Sequence, residues 1–285
     1  MFEKQGPKAD FEAGTLLGIN MNNPDHNPYR HLKKPLALFD VDGVLVKPFV
    51  IEHFPRYIVQ HDLAGFEANS LREMQSIKAE YEQSRLSYEE FASQLINVYA
   101  HGVAAQSVAG LSRLAREFWE HSKDIAYSYT LELIGLVKPH FTMIAISGSP
   151  TMALNPILSE WDFDMIFATE IETTPDGVYT ERVVTNRATY QAKNTTIELL
   201  RGHVAPELWK KSFAFGDHPR HDLPLLTNVA TPFLFVDNEH SAENNEAVKE
   251  LTSKIPQLKI LGRDLEKQSV LSIIRDQLVE RNILT

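Results

Sequence analysis

Short apolar runs that end at polar residues recur along the chain and predict the strands of a buried sheet. The first is LALFD at residues 36–40, followed later by FTMIAISGSP, SFAFGD and TPFLFVD, with LKILGR as a weaker fifth run. Runs that are apolar throughout, instead of alternating, are typical of strands covered on both faces. The FTMIAISGSP strand is predicted to end in a Ser-Gly-Ser turn.

A helical pattern occupies the chain between the first two predicted strands, from about residue 51 to residue 138. Apolar residues recur three and four positions apart in FEANSLREMQSIKAEYEQSR, SYEEFASQLINVYAHG and VAGLSRLAREFWEHSKDIAYSYTLELIGLVK. This is the spacing of helices with one buried face. Ser87 and Glu90 form the capping-box pattern that begins a helix. We therefore predict a helical insertion between these two strands.

Strand and helix patterns alternate through the rest of the chain. NPILSEW and SVLSIIRDQLVERNIL predict helices, and TTPDGVYTER predicts a hairpin because Asp176-Gly177 suits a two-residue turn. Such alternation indicates an α/β fold with a doubly wound, mostly parallel Rossmann-like sheet, here with an inserted helical cap domain. The predicted boundaries are an N-terminal arm at 1–34, a catalytic core at 35–48 and 136–285, and a cap at 49–135.

Composition narrows the class of protein. Of the 285 residues, 43% are hydrophobic and 23% charged, which suits a folded core. The net charge of −10 disfavours a nucleic-acid-binding surface, although a local cation can still make a site for an anionic small molecule. The chain has no cysteine, so disulfides and thiolate chemistry are excluded. Without a signal-peptide pattern or a run of about 18 apolar residues, we expect a cytoplasmic protein and no membrane span.

The N-terminal arm is polar and irregular, with many Asn, Pro and His residues in NMNNPDHNPYRHLKKP. A terminal segment of this kind is ordered only where it docks. Docking on the core, formation of a homodimer and disorder are all open for it.

Reactive side chains stand where four of the predicted segments end or begin. In a doubly wound sheet, functional residues collect at the carboxyl ends of the strands, near the switch point of the strand order. LALFDVDG supplies two carboxylates and FGDHPRHD supplies two more. ISGSP supplies a hydroxyl, and the start of the helix after the hairpin supplies an ammonium. These residues are Asp40, Asp42, Ser147, Lys193, Asp217 and Asp222.

Each of these segments also has a simpler reading when it is taken alone. The two acids of DVDG could belong to a solvated turn or to a calcium loop. An EF-hand loop is disfavoured because its fifth, sixth and twelfth positions would fall on Val44, Leu45 and Ile51. Lys193 alone would be a surface lysine, and Ser147 alone would be a helix cap. The order of the four segments favours the functional reading.

That order resembles the haloacid dehalogenase superfamily over roughly residues 36–240: DxDG, an apolar strand ending in Ser, a Lys, and GDxxxxD. The helical block after the first motif, together with ISGSP, PDGVYTER and GDHPRHDLPLL, resembles its phosphoserine-phosphatase-like branch. The resemblance implies a Mg²⁺-dependent phosphatase that hydrolyses a small phosphorylated metabolite through an aspartyl-phosphate. A phosphotransferase or mutase, and a catalytically silent binding protein with this fold, are the alternatives.

The resemblance implies a role for each carboxylate. Asp40 is the nucleophile that attacks phosphorus. Asp42 protonates the leaving alkoxide and then activates water. Asp40, the backbone carbonyl of Asp42 and Asp217 would hold Mg²⁺, and Asp222 would complete or orient that set of oxygen ligands.

Phosphate binding is assigned to Ser147, the Gly148 amide and Lys193, which can donate hydrogen bonds or charge to phosphoryl oxygens. Lys210 and Lys211 are nearby alternatives to Lys193.

Four residues are candidates for substrate specificity. His218 and Arg220 follow Gly216-Asp217 where the family more often has a small residue, so they could recognise substrate or face solvent. Glu52 and Arg56 could imitate the pair that holds an amino acid in phosphoserine-specific relatives. They are also four apart, the spacing of an ordinary ion pair on a helix surface.

Overall fold

The computed structural model describes residues 32–47, 49–237, 242–263 and 267–284, and within these ranges seven strands form one sheet. The strands are β1 (Leu36–Phe39), β2 (Thr142–Pro150), β3 (Met165–Thr173), β4 (Tyr179–Thr185), β5 (Phe213–Gly216), β6 (Thr231–Val236) and β7 (Lys259–Gly262). Their order is β4-β3-β2-β1-β5-β6-β7, and β4 is the antiparallel strand at one edge. This confirms the predicted doubly wound, mostly parallel sheet.

Five helices lie between β1 and β2 in the described part of the chain. They are α1 (Val50–Gln60), α2 (Ala68–Glu82), α3 (Tyr88–Val103), α4 (Val108–His121) and α5 (Thr130–Val137), with a short 3₁₀ helix at Lys123–Ile125. The later helices are α6 (Thr151–Glu160), α7 (Tyr190–His203), α8 (Pro206–Trp209), α9 (Leu223–Thr227), α10 (Ala242–Lys254) and α11 (Lys267–Glu280).

The central strand β1 is apolar at every position and is buried on both faces. In β1, Ala37 and Phe39 face one apolar cluster, which includes side chains of α1, α6 and α11. Leu36 and Leu38 face the opposite cluster, formed with side chains of α7, α9 and α10. Successive side chains of a strand point to opposite faces, so an unbroken apolar run requires a cover on each side.

The helical block follows its sequence pattern, with one difference. Ser87 caps α3, and the side chain of Glu90 in turn accepts from the Ser87 N–H, as the capping box predicts. The third helical stretch, however, is broken between α4 and α5. There, Tyr127 N–H and Thr130 Oγ1–H donate to the Leu45 carbonyl oxygen at 3.1 and 2.7 Å. The Tyr127 N–H thus bonds to the segment after β1 in place of a carbonyl within a helix.

Two local predictions need correction in detail. The second strand does not stop at a Ser-Gly-Ser turn, because β2 continues to Pro150, which pairs with Thr169. The predicted hairpin between β3 and β4 is present, but its loop is longer than two residues. Thr174 N–H donates to the Val178 carbonyl and Gly177, with φ of 74°, donates to the Thr174 carbonyl.

Three other expectations stay predictions. The division into core and cap at the stated boundaries is one of them. The predicted arm lies outside the described residues up to residue 31, and its role in docking or dimerisation is another. Cytoplasmic localisation is the third. In the described part of the chain, no helix has both the length and the apolarity that crossing a bilayer requires.

Candidate active site

The loops that follow β1 and β5 bring three carboxylates together. These strands are parallel neighbours, so their carboxyl ends meet at the same edge, where the strand order switches direction. Asp40 follows β1, and its N–H extends the ladder by donating to Phe215 at 2.8 Å. Asp217 follows β5, and Asp222 precedes α9. Oxygens of Asp40, Asp217 and Asp222 lie within 4.8 Å of one another.

Lys193 lies between two of these carboxylates. Its Nζ is 2.9 Å from Oδ2 of Asp40 and 2.6 Å from Oδ1 of Asp222. The ammonium is buried, with the side chain 4% exposed. It comes from the first turn of α7, whose N-cap Thr189 accepts from the Ala192 N–H. The structure thus brings Lys193 to the carboxylates, whereas Lys210 and Lys211 are exposed.

Asp222 also fixes the loop that carries Asp217. Its Oδ2 accepts from the backbone N–H groups of Asp217 and His218, both at 2.9 Å. The Asp222 side chain is fully buried. A carboxylate that accepts from an ammonium and two backbone amides is stabilised in its charged form. Asp222 therefore acts as a fixed anion around which the Gly216-Asp217 loop is built.

Asp42 is held from both sides of the site. Its Oδ2 accepts from the hydroxyls of Ser147 and Ser149 at 3.2 and 2.8 Å. Its Oδ1 accepts from the N–H of Val50, the first residue of α1, at 2.7 Å. The predicted phosphate-binding Ser147 thus lies beside the predicted acid, and the neighbouring Gly148 allows a close approach of Ala188.

Ser149 is a site residue that the sequence prediction did not include. Ser147 and Ser149 are two apart in β2, which places them on one face of the strand. That spacing was the available signal. It was missed because ISGSP was interpreted as a strand followed by a turn, in which the second serine would have no fixed direction.

Arg263 is a second residue that was missed. It follows β7, and its Nη2–H donates to Oδ2 of Asp217 at 2.7 Å while its Nε–H donates to the Gly43 carbonyl at 2.8 Å. Its Nη1–H donates to Asp237 at the end of β6. No local pattern in the sequence marks this arginine.

The carboxylates outnumber the cations around them. Burial, reinforced by the neighbouring acids, raises the pKa of Asp40 well above its usual range even though Lys193 opposes the shift. Burial and Asp222 raise the pKa of Asp217 to about 7. Burial opposes ionisation of Asp222 too, but Lys193 and the two backbone N–H donors outweigh it and lower the pKa of that carboxyl.

The arrangement fits a divalent cation. Four carboxylates, those of Asp40, Asp42, Asp217 and Asp222, face the two cations Lys193 and Arg263, so negative charge is in excess. Three of the carboxylates are close enough to share one ion. Mg²⁺ prefers oxygen ligands of this kind and usually keeps several waters. Asp40, Asp217 and Asp222 are therefore the side chains that could hold it.

A cleft of about 820 Å³ lies between the α2–α3 connection and the core; His218, which follows Asp217, lines it, but none of the six main-site residues does. Tyr88 of α3 stacks on His221 with ring centroids 3.6 Å apart. His218 packs on the same histidine and accepts from the N–H groups of Arg220 and His221 through Nδ1. His218 and Arg220 both line the cleft. A part in substrate recognition stays a prediction for them.

Glu52 and Arg56 form the ion pair within α1 that their spacing indicates. Glu52 is buried and also accepts from Lys78 of α2 at 2.8 Å. Burial opposes its ionisation, but the two cations outweigh that effect and lower the pKa of Glu52. Glu52 therefore joins α1 to α2 through Lys78. Its part in substrate specificity stays a prediction.

The solvated turn that DVDG could form on its own does not fit this geometry. Asp40 is only 7% exposed and is bonded to a buried lysine, which excludes a solvated turn. The structure brings all six predicted residues of the main site to one edge of the sheet. Their chemical roles are proposals that follow from this placement.

Comparison with known proteins places the chain in a family. The sequence model of the haloacid dehalogenase-like hydrolases matches residues 37–227. A histidinol-phosphatase of Neisseria meningitidis serogroup C (strain 8013) is 23% identical over 205 residues, which cover 70% of this chain and 89% of that protein.

Solved structures share the fold. A protein of unknown function from Bordetella pertussis Tohama I superposes with a TM-score of 0.64 at 20% identity, covering 81% of this chain and 99% of the other. A phosphoserine phosphatase, solved as an analogue of its phospho-aspartyl intermediate, gives a TM-score of 0.54 at 19% identity, covering 85% and 99%. With the match over most of its length, the chain belongs to the haloacid dehalogenase-like hydrolase family.

Proposed function

We propose that this protein is a Mg²⁺-dependent phosphomonoester hydrolase that acts on a small phosphorylated metabolite through an aspartyl-phosphate at Asp40. The observation that carries the proposal is the environment of Asp40. This buried carboxylate ends a central strand, accepts from Lys193, and lies within cation-sharing distance of Asp217 and Asp222. The names of the relatives, histidinol-phosphatase and phosphoserine phosphatase, support the same reaction class.

We assign the attack on phosphorus to Asp40. Its Oδ1 accepts from the Val41 N–H at 2.7 Å and its Oδ2 from Lys193 at 2.9 Å, so the carboxylate is held in one orientation. A fixed nucleophile lowers the entropic part of the barrier. Attack forms the Asp40–phosphorus bond and breaks the bond to the leaving oxygen, which splits hydrolysis into two easier steps.

Asp42 is placed to move the proton in both steps. Its carboxylate is held by two serine hydroxyls and by the N–H at the start of α1. In its protonated form it would give its proton to the leaving alkoxide, and the resulting carboxylate would take a proton from the water that cleaves the acyl phosphate, which restores the acid. Because α1 begins the helical insertion, the position of this acid is tied to the position of that segment.

Charge at the phosphoryl oxygens is compensated by groups of the chain. Lys193 would supply a fixed positive charge and the Gly148 amide a hydrogen-bond donor, and Ser147 would turn its single O–H from Asp42 to the phosphate when substrate binds. Mg²⁺, held by Asp40, the backbone carbonyl of Asp42 and Asp217, with Asp222 completing or orienting the set, would neutralise further negative charge on the phosphoryl group. The leaving group would lie in the cleft beside Tyr88, His218 and Arg220, where a closed insertion would exclude water.

Removal of the metal is the direct test of the cofactor. Purified protein treated with EDTA is expected to release no phosphate from p-nitrophenyl phosphate or from a panel of metabolite phosphate esters. Adding Mg²⁺ should restore the release, because the carboxylates otherwise repel the anionic substrate. If folded protein shows no turnover on the whole panel with Mg²⁺, or full turnover in EDTA, the proposal fails.

The same assay separates hydrolysis from phosphoryl transfer. For a hydrolase, inorganic phosphate and the released alcohol are formed in equal amounts even when glycerol is present as an acceptor. A deficit of inorganic phosphate, matched by phosphorylated glycerol, would indicate a phosphotransferase on the same site.

Ser149→Ala is expected to lower kcat by about 2- to 10-fold, since one hydrogen bond contributes about 0.5–1.5 kcal/mol. The variant removes the 2.8 Å bond to Asp42 and leaves the bonds from Ser147 and Val50. Steady-state kinetics with saturating Mg²⁺ measures the effect. The matched control is Ser76→Ala, which replaces an exposed serine of α2 and should leave kcat unchanged. Equal kcat for Ser149→Ala and wild type would show that Asp42 does not depend on this bond.

A further inference from the structure

Arg263 joins three loops at the edge of the sheet where the candidate active site lies. It lies beyond residues 37–227, the part of the chain that the family model matches. Its side chain is 9% exposed. It donates to the Gly43 carbonyl after β1, to Asp217 after β5 and to Asp237 after β6. Its own N–H donates to the Val236 carbonyl at 2.9 Å, which anchors the backbone from which the side chain extends.

The three contacts require a guanidinium. Arg carries five N–H donors in a rigid plane, so Nε, Nη1 and Nη2 can each reach a different acceptor. A lysine ammonium at the same position is a single point and cannot span Gly43, Asp217 and Asp237 together. The contacts therefore fix a direction for the carboxylate of Asp217 as well as offsetting its charge.

The loop after β1 is shaped to accept this arrangement. Gly43 has φ of +76°, a conformation that L side chains rarely adopt. A Cβ at Gly43 would stand 2.0 Å from Oδ2 of Asp217 and 3.0 Å from Nη2 of Arg263. The absence of a side chain at position 43 therefore lets the Asp217 carboxylate and the arginine lie directly against the backbone of the first motif.

We infer that Arg263 is a positioning residue for the divalent-cation site, which it serves by holding the Asp217 carboxylate in a fixed orientation against the loop after β1. The inference rests on the proposed function, because it concerns the cation which that function requires. With Oδ2 bonded to Arg263, the Asp217 carboxylate cannot rotate freely within the cluster that it forms with Asp40 and Asp222.

Orientation and charge make opposite predictions for this residue. If only the charge of Arg263 matters, Arg263→Gln makes the site more negative and tightens metal binding. Arg263→Lys keeps the charge and leaves metal binding unchanged. If orientation matters, loss of the planar contacts weakens metal binding even when the charge is kept. Groups that hold metal ligands in place typically contribute about 10- to 100-fold to metal affinity or activity.

Direct Mn²⁺ binding to the purified full-length chain separates these outcomes without any use of activity. Isothermal titration of wild type, Arg263→Lys and Arg263→Gln should give dissociation constants about 10- to 100-fold higher in both variants. Arg113→Lys and Arg113→Gln are the matched controls, because the Arg113 side chain on α4 is 68% exposed. They should change the constant by less than about two-fold, as for most surface substitutions.

The results of these titrations distinguish a failure of the inference about Arg263 from a failure of the proposed function. Folded Arg263 variants that bind Mn²⁺ as tightly as wild type, or more tightly, overturn the inference and leave the proposed function intact. A wild-type protein that binds no Mn²⁺ overturns the proposed function itself. Circular dichroism and thermal unfolding establish that the variants are folded.

A measurement on the wild type covers the case in which the variants do not fold. In ¹⁵N-labelled protein, the Nε–H signal of Arg263 should shift during a Mg²⁺ titration, with the same midpoint as metal binding. This is expected because its neighbouring Nη2 group contacts a metal ligand. A signal that stays in place while Mg²⁺ saturates the site overturns the inference.

Discussion

Asp40→Asn is expected to reduce kcat/KM for phosphate-ester hydrolysis by roughly 10⁴-fold or more, the range seen when a covalent nucleophile is removed. The amide has nearly the same shape as the carboxylate but cannot attack phosphorus to form an acyl phosphate. Phosphate release from p-nitrophenyl phosphate with saturating Mg²⁺ measures the loss.

The fold should survive this replacement. Burial and the neighbouring acids already disfavour the charged form of Asp40, and Lys193 keeps its 2.6 Å contact with Asp222. Asp276→Asn replaces an exposed acid of α11 and should keep most of the activity. Activity of Asp40→Asn within ten-fold of wild type, a limit of about 1.4 kcal/mol in barrier height, would be incompatible with a nucleophilic role.

Lys193→Met is expected to have the largest effect on stability of any single change at the site. It leaves Asp40 and Asp222 without their common partner while both stay buried. Removing one member of a buried charge pair typically costs about 3–5 kcal/mol in the free energy of unfolding. Urea unfolding in the absence of metal measures this change, and the same variant should lose phosphatase activity.

Lys211→Met provides the matched control. Lys211 is exposed, and it was one of the two alternatives to Lys193 that the sequence left open. Its replacement should change stability by less than about 0.5 kcal/mol, as is usual for surface sites. If Lys193→Met were as stable and active as Lys211→Met, the buried contacts of Lys193 would contribute neither to stability nor to activity.

Much of this site was predictable because its reactive side chains stand directly after predicted strands. Asp40 and Asp217 each come directly after an apolar run, and parallel neighbouring strands bring such positions together. The fold class followed from the same runs and from the helical spacing between them. The choice of Lys193 was less certain from sequence, since its contacts depend on how the first turn of α7 faces the sheet, which the helix periodicity alone does not set.

What the sequence did not predict depends on contacts between distant segments. Arg263 lies 46 residues from Asp217 and 220 from Gly43 along the chain, and no local spacing links them. The break between α4 and α5 has the same origin, because residues 126–130 bond to the segment after β1 in place of continuing a helix. Ser149, by contrast, was accessible from its i, i+2 spacing with Ser147.

Chemical trapping of Asp40 during turnover is the sharpest test of the proposed aspartyl-phosphate. Wild-type protein with Mg²⁺ and a turned-over phosphate ester is quenched, reduced with borohydride and analysed by peptide mass spectrometry. Borohydride reduces an acyl phosphate to an alcohol, so an aspartyl-phosphate at Asp40 predicts homoserine at position 40, dependent on substrate and absent from Asp40→Asn. Turnover with an unmodified Asp40, or with the reduced residue at another position, would contradict the mechanism.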